Sequence, residues 1–313
     1  MPFRRYASPF WKPRVAADSK HDSAKRQICS VTYLGMAVNV ALAGLKVGIG
    51  LAVASLAMLA DGIHSLSDTA TDVVVLVGAH LGSREPDRSH PYGHGRLETF
   101  SASAIAVILM VVGGGMIYHA TISIARNDVT RPHWAILAGA IMSIVAKEWL
   151  YRATTKVARR SHSSALYANA WHHRSDALSS VAVLVGFLLL RFGFDHGDQL
   201  AAIAVGLMVI FVGVRIIADS LMELTEGAVD PETVEHIQRV IEANPAIHHW
   251  HNLRTRTVGR EIFLDVHILV DPDLNVAAAH EISDHLERTL DDEVLRPVNI
   301  TVHIEPDLPP FRR

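Results

Sequence analysis

Residues 58 to 81, MLADGIHSLSDTATDVVVLVGAHL, are apolar enough to lie in a membrane, yet Asp61, His64, Asp68 and Asp72 run through them. An ionisable side chain at bilayer depth costs about 2.5–3.5 kcal/mol on insertion scales, so such a series needs a partner, and a doubly charged metal ion supplies the opposite charge. His64 and Asp68 are four apart, which on a helix places one above the other on a single face. A later segment, ANAWHHRSDALSSVAVLVG, repeats the arrangement with His172 and Asp176. Two HxxxD pairs on facing helices offer four nitrogen or oxygen ligands, the number that a tetrahedral Zn²⁺ site takes. The plainer alternative is that each histidine only hydrogen-bonds its own aspartate, which leaves both pairs bearing the insertion cost without a function. Asp61, one turn before His64, is a further partner, a proton stop or simply a helix-end residue. Asp72 extends the Asp68 face with a weaker claim, and His173 and Arg174 point away from His172, toward supporting contacts or lipid headgroups.

A helix crosses the roughly 30 Å of hydrocarbon with about 20 apolar residues. Six segments qualify, near 31–54, 57–81, 99–122, 133–153, 166–191 and 199–222. Lys and Arg gather in the N-terminal tail, between the second and third spans (Arg84, Arg88, Arg96) and between the fourth and fifth (Arg152, Lys156, Arg159, Arg160), which predicts both termini in the cytoplasm. The first 26 residues carry seven Lys or Arg but no apolar signal core before a cleavage motif. The net charge of −3 gives no pointer to nucleic acid, and the single cysteine, Cys29, excludes a disulfide framework or a thiolate cluster. Histidine stands out at 19 residues, and neutral imidazole is the commonest metal ligand.

Beyond the last span the pattern becomes that of a small soluble domain. Asp230 and Pro231 predict a helix start, and the helix should stop before Pro245. WHNLRTRTVG and REIFLDVHILVD read as strands joined near Gly259, NVAAAHEISDHLERTL as a helix and VNITVHIEP as a strand. The expected fold class is an α-helical membrane protein with six transmembrane helices, followed by a cytoplasmic α+β domain of order α-β-β-α-β with two helices on one face of a three-stranded sheet. The expected organisation is a tail over 1–30, a transport bundle over 31–225, a cytoplasmic domain over 226–306 and a short tail over 307–313.

This combination of six spans, HxxxD motifs in the second and fifth, a histidine-bearing loop and an α-β-β-α-β tail resembles the cation diffusion facilitator family along nearly the whole chain. The resemblance implies a homodimeric transporter in a bacterial inner or organelle-type membrane that exchanges Zn²⁺ or a related divalent ion for protons. It implies a transport site made by His64, Asp68, His172 and Asp176. Histidine at the first position of both pairs favours Zn²⁺ over the harder Mn²⁺, with Fe²⁺, Cd²⁺, Co²⁺ and Mn²⁺ left open. In the loop SREPDRSHPYGHGRLE, Asp87, His90 and His94 match the family's loop site by spacing; read without the resemblance, the loop is a solvated Pro/Gly turn. Arg96 takes the position of a basic residue that forms an ion pair at the membrane face, with Glu226 its expected partner. In the tail, the positions matching a regulatory metal cluster are His251, His267, His280, His303 and Glu305, with Asp265, His285, His248 and His249 peripheral, although strand histidines on a solvated face are ordinary. Trp250 reads as a packing or dimer-interface residue.

The chain shows no GxxxxGK[ST] phosphate loop, so the driving force should be an ion gradient, and HEISDH lacks the spacing of a zincin helix. No enzyme activity and no organic cofactor are expected. The competing reading is a membrane-anchored metal sensor or assembly scaffold without turnover. An intramembrane hydrolase would need an open coordination position, which a closed His2Asp2 set does not leave.

Overall fold

The computed structural model describes residues 15–52, 65, 68–127, 134–192, 194, 196–294 and 296–311. Asp61 and His64 lie outside the described residues. Among the described residues, six helices form a bundle: α1 (Val15–Ala52), α2 (Thr69–Gly82), α3 (Arg96–Ala125), α4 (Trp134–Ser161), α5 (Ser164–Arg191) and α6 (Gly197–Leu224). Among the described residues, Ser23–Gly48, Arg96–Ala125 and Gln199–Leu224 are long and apolar enough to cross a membrane, and Thr69–Gly82 is a shorter apolar helix. Helices α4 and α5 are as long, but Lys147, Glu148 and Arg152 on one, and His172, His173, Arg174 and Asp176 on the other, dilute their hydropathy.

Helix α1 begins well before the span expected from 31, because DSKHDSAKRQ contains no proline or glycine to stop it. Apolar side chains point outward from the bundle, among them Val111, Val145, Leu207, Phe211 and Leu221. In water that surface would be a liability, but it suits a lipid solvent. Inside, close packing replaces the hydrophobic drive that helices lack within lipid. Gly113 on α3 and Gly206 on α6 face one another so closely that a Cβ on either would lie 2.8 Å from the other's carbonyl oxygen.

The soluble domain follows the expected order: α7 (Pro231–Glu242), β1 (His249–Val258), β2 (Glu261–Val270), α8 (Val276–Glu293) and β3 (Val298–Pro306). The Asp230 carboxylate caps α7 by accepting from the Thr233 amide at 2.9 Å. Gly259 makes the turn between β1 and β2 with φ of 59°, in the left-handed region. Strand β2 is central, antiparallel to β1 and parallel to β3. Its alternate residues Ile262, Leu264, Val266, Ile268 and Val270 form the core with Ile237 and Ile241 of α7 and Leu286 and Leu290 of α8. Trp250 packs against that core. By the period of two, His267 therefore lies on the sheet face away from the helices.

Candidate metal centre

Among the described residues, three clusters bring together several of the histidines and carboxylates singled out above. The deepest lies in the bundle, where ligand atoms of Asp68, His172 and Asp176 all fall within 4.8 Å of one another. Asp68 stands in helical geometry at the start of α2, and His172 and Asp176 are one turn apart on α5. His172 Nε2 is 3.8 Å from Asp68 Oδ1 and 3.8 Å from Asp176 Oδ2, too far to hydrogen-bond either. Both ring nitrogens are buried without a hydrogen-bond partner among the described residues. Ligands of a tetrahedral ion, each about 2.0–2.1 Å from it, stand roughly 3.4 Å apart, so an imidazole and two carboxylates at this spacing could hold such an ion.

Lys147 of α4, which the motif spacing does not single out, reaches this cluster. Its ammonium donates to Asp68 Oδ2 at 2.9 Å and to Asp176 Oδ2 at 2.8 Å, and its side chain is 2% exposed. A lysine in the middle of IMSIVAKEWL is an intramembrane charge, and the rule that singles out Asp68 applies equally to it.

One turn further along α2, Asp72 heads a separate network and does not join Asp68, His172 and Asp176. Its carboxylate accepts from Asn169 Nδ2 at 2.7 Å and from Asn39 Nδ2 at 3.0 Å, with His173 Nε2 3.7 Å away. His173 is 1% exposed, so it is an interior partner of Asp72 and makes no headgroup contact. Gly35 lets α1 approach this network: a Cβ there would lie 3.4 Å from Asp72 Oδ1. Arg174 instead lies over the Tyr151 and Trp171 rings and donates to the Tyr151 hydroxyl at 2.8 Å.

The loop cluster joins Asp87, His90 and His94. Asp87 Oδ1 accepts from the Ser89 hydroxyl at 2.7 Å and from the His90 amide at 2.7 Å. These bonds hold its carboxyl at about 2, below the usual range, so the group stays ionised at neutral pH. The His90 and His94 rings are 4.4 Å apart, and Gly93, with φ of 83°, turns the chain between them.

The third cluster lies on the outer face of the sheet. Register places His251, His267 and His303 side by side on β1, β2 and β3, with ring centroids 5.0 and 4.5 Å apart. Glu305 reaches across to all three, at 3.0 Å from His267 Nδ1, 3.4 Å from His251 Nε2 and 3.5 Å from His303 Nε2. Ligand atoms of His251, His267 and Glu305 all lie within 4.8 Å of one another, a set that suits a borderline divalent ion, and His303, 62% exposed, stands beside it. His280 does not join them: it lies on α8, exposed, 3.7 Å from Asp284, because that helix covers the opposite face of the sheet. His285 is on the same helix beside Thr289 and is likewise apart. Asp265 is exposed on the His267 face, two residues along β2. His248 pairs with Asp307 at 3.0 Å.

Arg96 and Glu226 form an ion pair that Arg256 of β1 extends, at 3.1 Å from Glu226. Two further links between bundle and soluble domain are not marked by any motif. Glu98 pairs with Arg260 at 3.1 Å, both buried, and Glu223 accepts from Thr99 and from the Gly259 amide.

Residues 32–225 match the cation efflux transmembrane domain, and residues 229–307 match the cation efflux protein cytoplasmic domain. The chain belongs to the cation diffusion facilitator family. It is therefore a multi-pass integral membrane protein with a cytoplasmic C-terminal domain, and not an enzyme. It is 34% identical to metal tolerance protein C1 of Arabidopsis thaliana over 87% of its own length, and spans 61% of that protein. It is 30% identical to magnetosome protein MamB of Magnetospira sp. (strain QH-2), over 88% of this chain and 94% of the relative. It is also 30% identical to manganese efflux system protein MneP of Bacillus subtilis (strain 168), over 91% and 98%. The solved metal-bound C-terminal domain of the CzcD transporter from Thermotoga maritima is similar over 24% of this chain and 87% of that one, at 29% identity and a TM-score of 0.23.

Proposed function

We propose that this protein is a homodimeric efflux transporter that exchanges a divalent transition metal for protons, with Asp68, His172 and Asp176, together with His64, as the transport ligands. The observation that carries the reading is the buried His172 ring held between two carboxylates from two helices, with neither nitrogen hydrogen-bonded among the described residues. Metal binding requires neutral imidazole and ionised carboxylate, so protons compete for the same atoms. Loading from the cytoplasm releases protons, and protons arriving from the far side expel the ion. An imidazole and carboxylate set favours Zn²⁺, with Fe²⁺, Cd²⁺ and Co²⁺ as alternatives. A relative named as a manganese efflux protein makes Mn²⁺ the necessary comparison. The bundle over 31–225 carries the ion, and the domain over 226–306 regulates it through His251, His267, His303 and Glu305.

The test is the full-length protein in vesicles loaded with a pH indicator, given Zn²⁺, Fe²⁺, Mn²⁺ or Cd²⁺ in turn. Metal-driven proton movement that Asp176→Ala abolishes supports the antiporter and ranks its ions. Metal flux undiminished in Asp176→Ala removes the ligand assignment, and no flux with any ion makes the protein a sensor or scaffold.

A further inference from the structure

Lys147 has no part in the chemistry above, yet its ammonium sits where the metal must go. We propose that Lys147 is a tethered surrogate cation: it fills the transport site between metal loads, gives way to each incoming ion, and stabilises the emptied site while it returns across the membrane. The inference rests on the reading of Asp68 and Asp176 as transport ligands.

The geometry carries it. One oxygen of Asp68 and one of Asp176 both accept from Lys147 Nζ, at 2.9 and 2.8 Å, in a site where the lysine and Asp68 are 2% and 4% exposed. The Asp68 and Asp176 oxygens come from different helices, α2 and α5, and the ammonium joins them as a bound ion would. A doubly charged ion cannot take both oxygens while the ammonium holds them, because like charges at such spacing repel strongly in a low-dielectric interior. The metal therefore binds by displacing Lys147. The lysine is suited to this: its charge is compact and rides on a flexible four-carbon stem, whereas a planar guanidinium would lock two carboxylates more rigidly. Among the described residues His172 makes no hydrogen bond, and it can take the metal as the lysine leaves.

Displacement has two consequences for transport. The first is affinity: each metal ion must break two charge-assisted hydrogen bonds, which weakens binding and speeds release on the far side. The second is the return. Two carboxylates left without the metal at bilayer depth are costly to move; with Lys147 seated between them they stay ionised and compensated, and the exchanged protons return on the imidazoles. Lys147 is thus a positioning residue rather than a ligand.

The test uses the full-length protein in lipid nanodiscs for binding and in vesicles for flux. Zn²⁺ is titrated, and the transport-site component is defined as the part that Asp176→Asn removes. In Lys147→Met that component should tighten at least tenfold. Net efflux should fall at least tenfold, while exchange of labelled for unlabelled Zn²⁺ across the membrane, which needs no empty return, should persist. Lys147→Arg should keep weak binding and part of the net efflux, and Lys147→Gln reads the same quantities if the methionine variant does not fold. Unchanged affinity in the neutral variants overturns the proposal. So does weaker binding with net efflux and exchange lost together, which is the signature of a merely structural lysine. Metal flux that survives Asp176→Asn instead removes the underlying site assignment, a failure distinguishable from both.

Discussion

Asp72 is the residue whose removal should be felt most directly in stability. It accepts hydrogen bonds from two amides inside the bundle, Asn39 and Asn169, which are themselves fully buried. Asp72→Ala removes the acceptor from Asn39, at about 1–3 kcal/mol, and leaves Asn169 Nδ2 with only the His173 ring nitrogen, 3.3 Å away. The melting temperature of the purified protein, followed by tryptophan fluorescence, should fall clearly for Asp72→Ala and less for Asp72→Asn, which keeps one acceptor. Wild-type melting in the alanine variant would show that the network contributes no stability. At this scale the sequence was legible where partners share an element: His172 and Asp176 are visible as an i, i+4 pair. Lys147 was not, because its partners are 79 and 29 residues away on other helices, and no spacing rule reports that. His280 was misplaced for the converse reason: resemblance grouped it with the strand histidines, but amphipathicity turns its helix to the other face of the sheet.

Among the elements, α7 shows how a local signal becomes a measurable contribution. Burial pushes the Asp230 carboxyl up, but the hydrogen bonds from the Thr233 amide and hydroxyl outweigh it, and the group titrates below its ordinary value. A carboxyl lowered on folding contributes stability that is present above its unfolded pKa and is lost as pH falls through its folded one. Hydrogen exchange at the Thr233 amide of the full-length protein should therefore be protected at neutral pH and lose protection under strongly acidic conditions. Asp230→Ala should remove that protection already at neutral pH, at a cost of about 1 kcal/mol. Protection that survives in Asp230→Ala would place the cap elsewhere. The elements themselves were readable from the sequence wherever punctuation is strong, as at Asp230, Pro231 and Gly259. The start of α1 was not, since polar helix formers run on from the apolar span without a break.

For the molecule as a whole, the question is how a metal bound on the sheet could reach the bundle. His267→Ala combined with His303→Ala should raise the metal concentration for half-maximal transport while leaving transport detectable at high metal. Identical dose curves would mean that the sheet cluster does not regulate. A bound ion can act only if it favours one arrangement of the domain on the bundle over another. The contacts that would transmit it are Arg96 with Glu226 and Arg256, Glu223 with Gly259, and the buried pair of Glu98 on α3 with Arg260 at the β1–β2 turn. That buried pair is the contact to break. Arg260→Ala leaves Glu98 buried and uncompensated, which costs about 3–5 kcal/mol. Replacing both charges, Glu98→Gln with Arg260→Met, removes the desolvated ions together and should recover most of that loss. The single variant should melt earlier, with the soluble domain and the bundle unfolding in separate steps. The double variant should regain the melting temperature but not the metal response of the dose curve, because an uncharged contact holds the domain without distinguishing its two positions. If Arg260→Ala melts and transports as wild type does, the junction is only a point of attachment, and coupling must run through Glu223 and Arg96 instead.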